Sequence, residues 1–312
     1  MEELYNGIKL TEELFEKIDY DEKTSEEGGY SNYSYWKSTL RTFFKSKLSI
    51  FLVILIVVLM SFSFLYPMFS KVDPNQISLD MDLWNTKSNS ANWFGTDGLG
   101  RDIWARTWYG TRNSLVIAIV IAIVEVGVGS IVGALWGYVR KLDTIMLELY
   151  NIITNIPSTV YLILLSYIMK PSITTIIFAL ASRGWISEAK FMRNKILSLR
   201  ENEYNIASQC LGTPVMRIVS KNIIPHLISL IIMEAALTIP YSIGSEVFLG
   251  FIGLGLPLDT VTLGNMVNQG RANFMLYPYQ MLYPTAVLCL ITVSFYLVGN
   301  RFADASDPKN HL

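Results

Sequence analysis

The chain is poor in the residues from which most soluble active sites are built: its 312 residues include two cysteines and two histidines, and only 16% are charged. A soluble domain carries about 25% charged residues, so an ordinary water-exposed surface is excluded. Two histidines cannot assemble a metal centre, and His226, beside Pro225, reads as a capping or interfacial residue. Cys210 lies in a polar loop and Cys289 in an apolar run. The two do not meet as a disulfide and read as inert. No G-x-x-x-x-G-K-[ST] run occurs, so no P-loop is expected. Neither H-E-x-x-H nor a serine with a base appears, which argues against an intramembrane enzyme. The net charge of -1 gives nucleic acid nothing to bind.

What is present is apolar, 51% of residues. A helix crosses a hydrocarbon core of about 30 Å with about 20 mostly apolar residues. Six spans are predicted: Leu48–Phe69, Ser114–Val139, Thr144–Met169, Ser172–Ser187, Leu227–Gly250 and Tyr283–Gly299. The expected fold class is an all-α membrane protein. The third and fourth spans are the least apolar, since one holds Glu148, Asn151, Asn155 and Pro157 and the other Arg183. Both must face protein or water rather than lipid. The first apolar run begins near Leu48 behind a long charged leader. It reads as a retained anchor rather than a cleaved signal.

Lys and Arg set the orientation. They gather before the first span (Lys37, Arg41, Lys45, Lys47), after the second (Arg140, Lys141), between the fourth and fifth, and after the sixth. The loop 251–282 carries Arg271 alone, and the third-to-fourth loop Lys170 alone. Both termini are therefore predicted to be cytoplasmic. This divides the chain into an acidic leader with a basic flank (1–47), the first span (48–69), an external flap (70–112), a core with five spans (113–302) and a cytoplasmic tail (303–312). The leader to Tyr35 holds ten acids against three bases and reads as a partly disordered tail, with one short helix capped by Thr11 and stapled by Leu10 and Phe15. Four tryptophans, Trp84, Trp93, Trp104 and Trp108, fall in the flap segment. They call for an ordered structure that buries them. Gly129, Gly133 and Gly137 recur every four residues on one face of the second span, which permits close approach of another helix.

The polar segment Ser198–Pro225 is longer than a plain connection needs. Ser198 and Glu201 have capping-box spacing, so a helix is predicted from Leu199, with Ile206, Ala207, Cys210 and Leu211 on one face and Gly212 as its left-handed end. Thr213 then caps a second helix with Pro214 at its first position, and Pro225 interrupts it about three turns later. Such an amphipathic hairpin docks on a protein or lies on the lipid interface. Within the spans, Glu125, Glu148, Glu234 and Glu246 are candidates for the translocation path. Pairing with an arginine is the alternative for each. Asn151 and Asn155, four apart beside Pro157, offer hydrogen bonds either to a cargo or to another helix. Asp97, Arg101 and Asp102 form a charged cluster that orders the flap or meets an outside partner, with Gly95 and Gly100 as turn formers.

These residues resemble a known family. The segment Tyr204–Pro225 is similar to the cytoplasmic EAA loop of ABC importer permeases: Ala207 and Ser208 stand at the two alanines, Gly212 at the glycine and Ile224-Pro225 at the closing pair, with Ile206 in place of the glutamate. Phe94 to Asp102, FGTDGLGRD, resembles the run after the first span in C-type permeases of oligopeptide, dipeptide and nickel importers. The runs Phe248–Pro257 and Leu263–Met266 resemble two further segments of that family, with Leu263 where the family has Trp.

The resemblance implies a bacterial plasma-membrane permease subunit forming half of a path for oligopeptides or dipeptides. It implies a homologous second permease, two ATP-binding subunits that hold ATP and Mg, and an extracellular substrate-binding protein. The chain itself would bind no cofactor or metal and catalyse nothing. Its coupling residues would be Tyr204, Ile206, Ala207, Ser208, Leu211, Gly212 and Pro225; its external motif would be Gly95, Thr96, Asp97, Leu99, Gly100, Arg101 and Asp102. A nickel or other small-solute permease is the alternative. A self-sufficient secondary transporter would show internal repeats, which the sequence does not display.

Overall fold

The structure, a computed structural model, describes residues 4–5, 8–9 and 35–307. The chain forms two compact units, 1–38 and 39–312. In the first, β1 (Leu4–Tyr5) pairs antiparallel with β2 (Ile8–Lys9), Leu4 opposite Lys9. The leader helix expected around Thr11 and Phe15, with its Leu10 staple, lies outside the described residues.

The rest is helical: α1 (Tyr35–Lys45), α2 (Lys47–Phe69), α3 (Ile103–Tyr138), α4 (Asp143–Asn155), α5 (Ser158–Ile168), α6 (Ile173–Arg200), α7 (Glu203–Cys210), α8 (Val215–Ile218), α9 (Ile224–Phe251), α10 (Leu263–Ala272) and α11 (Tyr279–Ser306). Among the described residues four stretches are long and apolar enough to cross a membrane: α2, α3, the run Val215–Phe251, and α11. A fifth results if the pair Arg140–Asn155 and Ser158–Ile168, bent by 77°, is one span. Proline explains the bend. Pro157 has no N–H and drives the preceding residue out of the helical region, and Ile156 is extended there. Against the six spans expected, four or five helices among the described residues have the required length and apolarity. The fourth predicted span lies within α6, which is long but carries Arg183, Glu188, Lys190, Arg193 and Lys195.

α3 is the mast of the bundle. Its 36 residues extend about 54 Å, from the flap at one end to the polar hairpin at the other. The second predicted span, Ser114–Val139, is corrected at its start: the helix begins eleven residues earlier, at Ile103, because Asp102 caps it by accepting from the N–H groups of Trp104 and Ala105, both at 3.2 Å. Trp104 and Trp108 therefore belong to the mast rather than to the flap. They pack against Phe62 of α2, with Trp108 4.4 Å from its ring centroid.

The glycine stripe of α3 meets α6. A Cβ at Gly129 would lie 2.5 Å from the Glu188 Cβ, one at Gly133 would overlap the Ala189 carbonyl oxygen, and one at Gly137 would lie 2.9 Å from the Arg193 carbonyl oxygen. The buried cluster of Leu59, Leu115, Ala118, Ile243, Leu263 and Ile291 joins α2, α3, α9, α10 and α11. A second cluster, with Ile117, Leu162, Ile176, Leu180 and Leu249, joins α3, α5, α6 and α9. The outward face of α2 exposes Phe51, Ile54, Val57, Val58 and Leu65, as a helix apolar all round does against lipid.

Candidate functional site

The polar hairpin is built differently from its local signals. α6 does not stop at Ser198. Ile196 is buried among Ala134, Met192 and Ile223, and Arg200 Nη1 donates to the Gly137 carbonyl at 3.0 Å, so packing carries the helix to Arg200. The Ser198 hydroxyl donates to the Lys195 carbonyl at 2.8 Å. The capping box is absent, and Asn202 occupies the N-cap position of α7. At the other end of α7, Gly212 has φ +74. The Thr213 N–H bonds the Ser208 carbonyl at 3.1 Å and the Gly212 N–H the Gln209 carbonyl at 2.9 Å, which is the Schellman pairing.

Pro214, expected inside the second helix, is its N-cap residue. Pro225 does not interrupt the helix either: a π turn over Val219–Ile223 leads straight into α9. The wider turn gives the proline ring the clearance that a regular α turn denies it.

The hairpin's polarity is inverted. Asn205 is fully buried, donating from Nδ2 to the Leu199 carbonyl at 2.9 Å and accepting from Asn222 Nδ2 at 3.3 Å. Gln209 Nε2 donates to the Tyr138 hydroxyl at 2.7 Å, tying α7 to the foot of the mast. Ser208 is half-buried beside Asn222, and Tyr204 stacks on His226, ring centroids 6.0 Å apart. The apolar side chains point out: Leu211 is 85% exposed, Met216 61% and Ile206 48%, with Ala207 and Cys210 also at the surface.

Along the bundle, Glu125 (α3), Glu188 (α6) and Glu234 (α9) line one cavity of about 320 Å³, with Arg183, Phe191 and Tyr241 in its wall. Two of the six predicted path residues, Glu125 and Glu234, thus come together. Glu188 went unnoticed in the sequence because the fourth predicted span ends one residue before it. Its signal was the four-residue spacing from Gly184, which puts it on the helix face that meets α3. Glu246 lies elsewhere, 2% exposed. It accepts from Thr262 Oγ1 at 2.6 Å, from Ser114 Oγ at 3.2 Å and from the Gly264 N–H. It closes the N-terminus of α10, where a carboxylate is favoured by the helix dipole. Glu148, Asn151 and Asn155 fall on an exposed face of α4, none of whose residues is buried.

At the opposite end of the mast, the motif predicted to be external is a tightly bonded turn. Asp97 accepts from the Leu99 and Arg101 N–H groups and pairs with Arg101 Nε at 2.7 Å. Gly95 and Gly100 have φ +76 and +71. Thr96, 1% exposed, receives the Thr86 N–H and bridges to Asp102. The Leu99 carbonyl accepts from the Ser78 N–H at 3.1 Å. Tyr279 and Gln280 of α11 pin this turn through Thr86, Thr96 and Asn85. A cavity of about 540 Å³ opens between the turn and α10, with Arg101 and Arg106 both donating to Gln269 Oε1 at its edge.

The pattern described as "Binding-protein-dependent transport system inner membrane component" matches residues 126–311, which takes in the carboxylates of α6 and α9 and the whole hairpin. The chain belongs to that family, as a C-type permease subunit. A second pattern, "N-terminal TM domain of oligopeptide transport permease C", matches residues 34–89 of the permease. The permease is similar to the oligopeptide transport system permease protein AmiD of Streptococcus pneumoniae, 38% identical over 304 residues that cover 97% of this chain and 99% of the relative. It is likewise similar to the oligopeptide transport system permease protein OppC of Bacillus subtilis, at 33% over 96% and 98% of the two chains. The dipeptide transport system permease protein DppC of Bacillus subtilis is 35% identical over 72% of this chain and 71% of the relative.

Proposed function

We propose that the permease forms half of the translocation path of a peptide importer and is driven through its hairpin by cytoplasmic ATPases. The observation that carries this reading is the inverted hairpin: its amides and hydroxyl bond inward to Tyr138, Leu199 and Asn222, while Ile206, Leu211 and Met216 stand in solvent. Burying such side chains yields about 1.5–3 kcal/mol each before association costs. A helix lying in a partner's groove gains that energy. With Ile206 where the EAA motif has a glutamate, docking depends on apolar burial more than on charge.

The peptide assignment comes from relatives named for oligopeptide and dipeptide transport. In this reading α6 is a sixth span, its charges turned to α3 and the cavity, and α4 with α5 is one broken span. Both termini are cytoplasmic. A homologous permease completes the path against Glu125, Glu234 and the exposed Glu148, Asn151 and Asn155, and an extracellular binding protein delivers cargo to the turn at Asp97–Asp102. Two separate subunits hold ATP and Mg and hydrolyse the nucleotide, so this subunit is a transporter component and not an enzyme.

The test replaces Ala207 with Asp and Gly212 with Val together. The expected outcome is normal membrane insertion, loss of ATPase co-purification and loss of uptake. Retention of both by the double variant refutes docking, and retained ATPase binding with lost vesicle adhesion would assign the face to lipid.

A further inference from the structure

Where α3 and α6 cross, each supplies a glycine opposite the other's glutamate. Gly184 of α6 leaves the space that the Glu125 carboxyl fills, and Gly129 of α3 the space for Glu188. A Cβ at Gly184 would overlap the Glu125 carboxyl and one at Gly129 would press on the Glu188 Cβ and Cγ, so the crossing leaves room for two acidic side chains. Glu125 is 7% exposed, lines the cavity, and among the described residues has no hydrogen-bond or ion-pair partner. Glu188 Oε1 is buried and also without a partner.

Apart from Lys195, the neighbouring cations are engaged elsewhere. Arg183 Nη2 points to the Thr154 carbonyl at 3.5 Å, Lys190 sits 3.7 Å over the Tyr150 ring, and Arg193 grips Asp143 with two bonds. Lys195, which acts electrostatically on Glu234, lies 5.5 Å from the centroid of Phe191. Three carboxylates thus share a cavity whose wall holds one guanidinium, that of Arg183. An ionised carboxylate at membrane depth is costly unless a cation or water compensates it. At about 320 Å³ the cavity is too small for a whole peptide and large enough for an aminoalkyl chain.

We infer that this cavity is a transient binding site for a primary ammonium group of the cargo, a peptide's N-terminus or a lysine side chain, held by Glu125, Glu188 and Glu234. The inference rests on the peptide reading above.

The test uses the whole importer in lipid vesicles with its binding protein saturated, and four versions of one peptide: with and without an N-acetyl group, and with and without a lysine. Wild type is expected to carry the three ammonium-bearing peptides faster than the one without an ammonium group, per ATP hydrolysed, by about tenfold, the factor one charge-assisted hydrogen bond supports. In the variant carrying Glu125→Gln and Glu188→Gln this advantage should vanish. Vanishing for the free N-terminus alone, or for lysine alone, identifies the source of the ammonium.

An equal fall for all four peptides means that the carboxylates are structural and overturns the site, as does an undiminished advantage in the variant. Should the variant fail to assemble, the wild type still decides, because equal import of all four peptides overturns the site while leaving the peptide reading intact. Import of none of them overturns both.

Discussion

Single residues hold the two ends of this permease in place. Asn205 joins the end of α6 to the π turn through Leu199 and Asn222, and the Asn205→Ala change removes both bonds, while the Leu199 carbonyl keeps the Asn202 N–H and Asn222 keeps Ser208. The expected cost is about 1 kcal/mol, read as faster hydrogen exchange over 199–212. At the other end, Asp102→Ala should lower stability by about 1 kcal/mol through loss of the α3 cap, while Asp102→Asn keeps it; thermal melts of the purified permease measure both. Burial raises the Asp102 pKa above the usual carboxylate value, against the lowering by the Ala105 and Trp104 N–H groups. The folded protein therefore holds this proton more tightly than the unfolded chain. Its contribution is complete below the unfolded pKa of about 3.9 and is lost as pH rises through the folded value. Melts across the acid range should show that decline in the wild type and not in the Asn variant. Gly212 is legible in the sequence because it acts through its own backbone. Ser198 is not, since a cap worth about 1 kcal/mol loses to the burial of Ile196 and the Arg200 bond to Gly137.

Among elements, the α3–α6 crossing dominates. Its three glycines are visible as a four-residue repeat, and their partner is not, because any helix could approach that face. Gly133→Val places a side chain against the Ala189 carbonyl and should cost about 1–3 kcal/mol as the helices are pushed apart. A lowered melting temperature with intact membrane insertion is the expected result. The same crossing decides which carboxylates meet. Glu125, Glu188 and Glu234 converge on one cavity, whereas Glu246 is consumed in closing α10. In sequence, Glu125, Glu234 and Glu246 look alike, each an acid in an apolar run. Helix ends are where local signals mislead most here: α3 starts eleven residues before its apolar run, since a capped amphipathic turn extends a span beyond the lipid core, and α9 passes Pro225 on a π turn.

For the whole molecule, the mast separates a flap end from a hairpin end by about 54 Å. A cysteine at Ser90 should label from outside and one at Ser198 only after permeabilisation, and equal labelling of both refutes the orientation. Cys210 and Cys289 are free and exposed, so both are replaced first. Composition and period by themselves determined that the chain is a helical membrane protein, where its apolar runs lie, and, through the glycine and proline of the hairpin and the turn at Asp97–Asp102, which family it joins. Those features are local: hydrocarbon length, left-handed backbone and a missing N–H act within a few residues. Only the tertiary structure decided that the hairpin turns its amides inward and its leucine outward, that α6 runs on to Arg200, and that three of the acids share a cavity. Each of those outcomes depends on which helix lies opposite, and that partner is chosen by packing over the full length of α3.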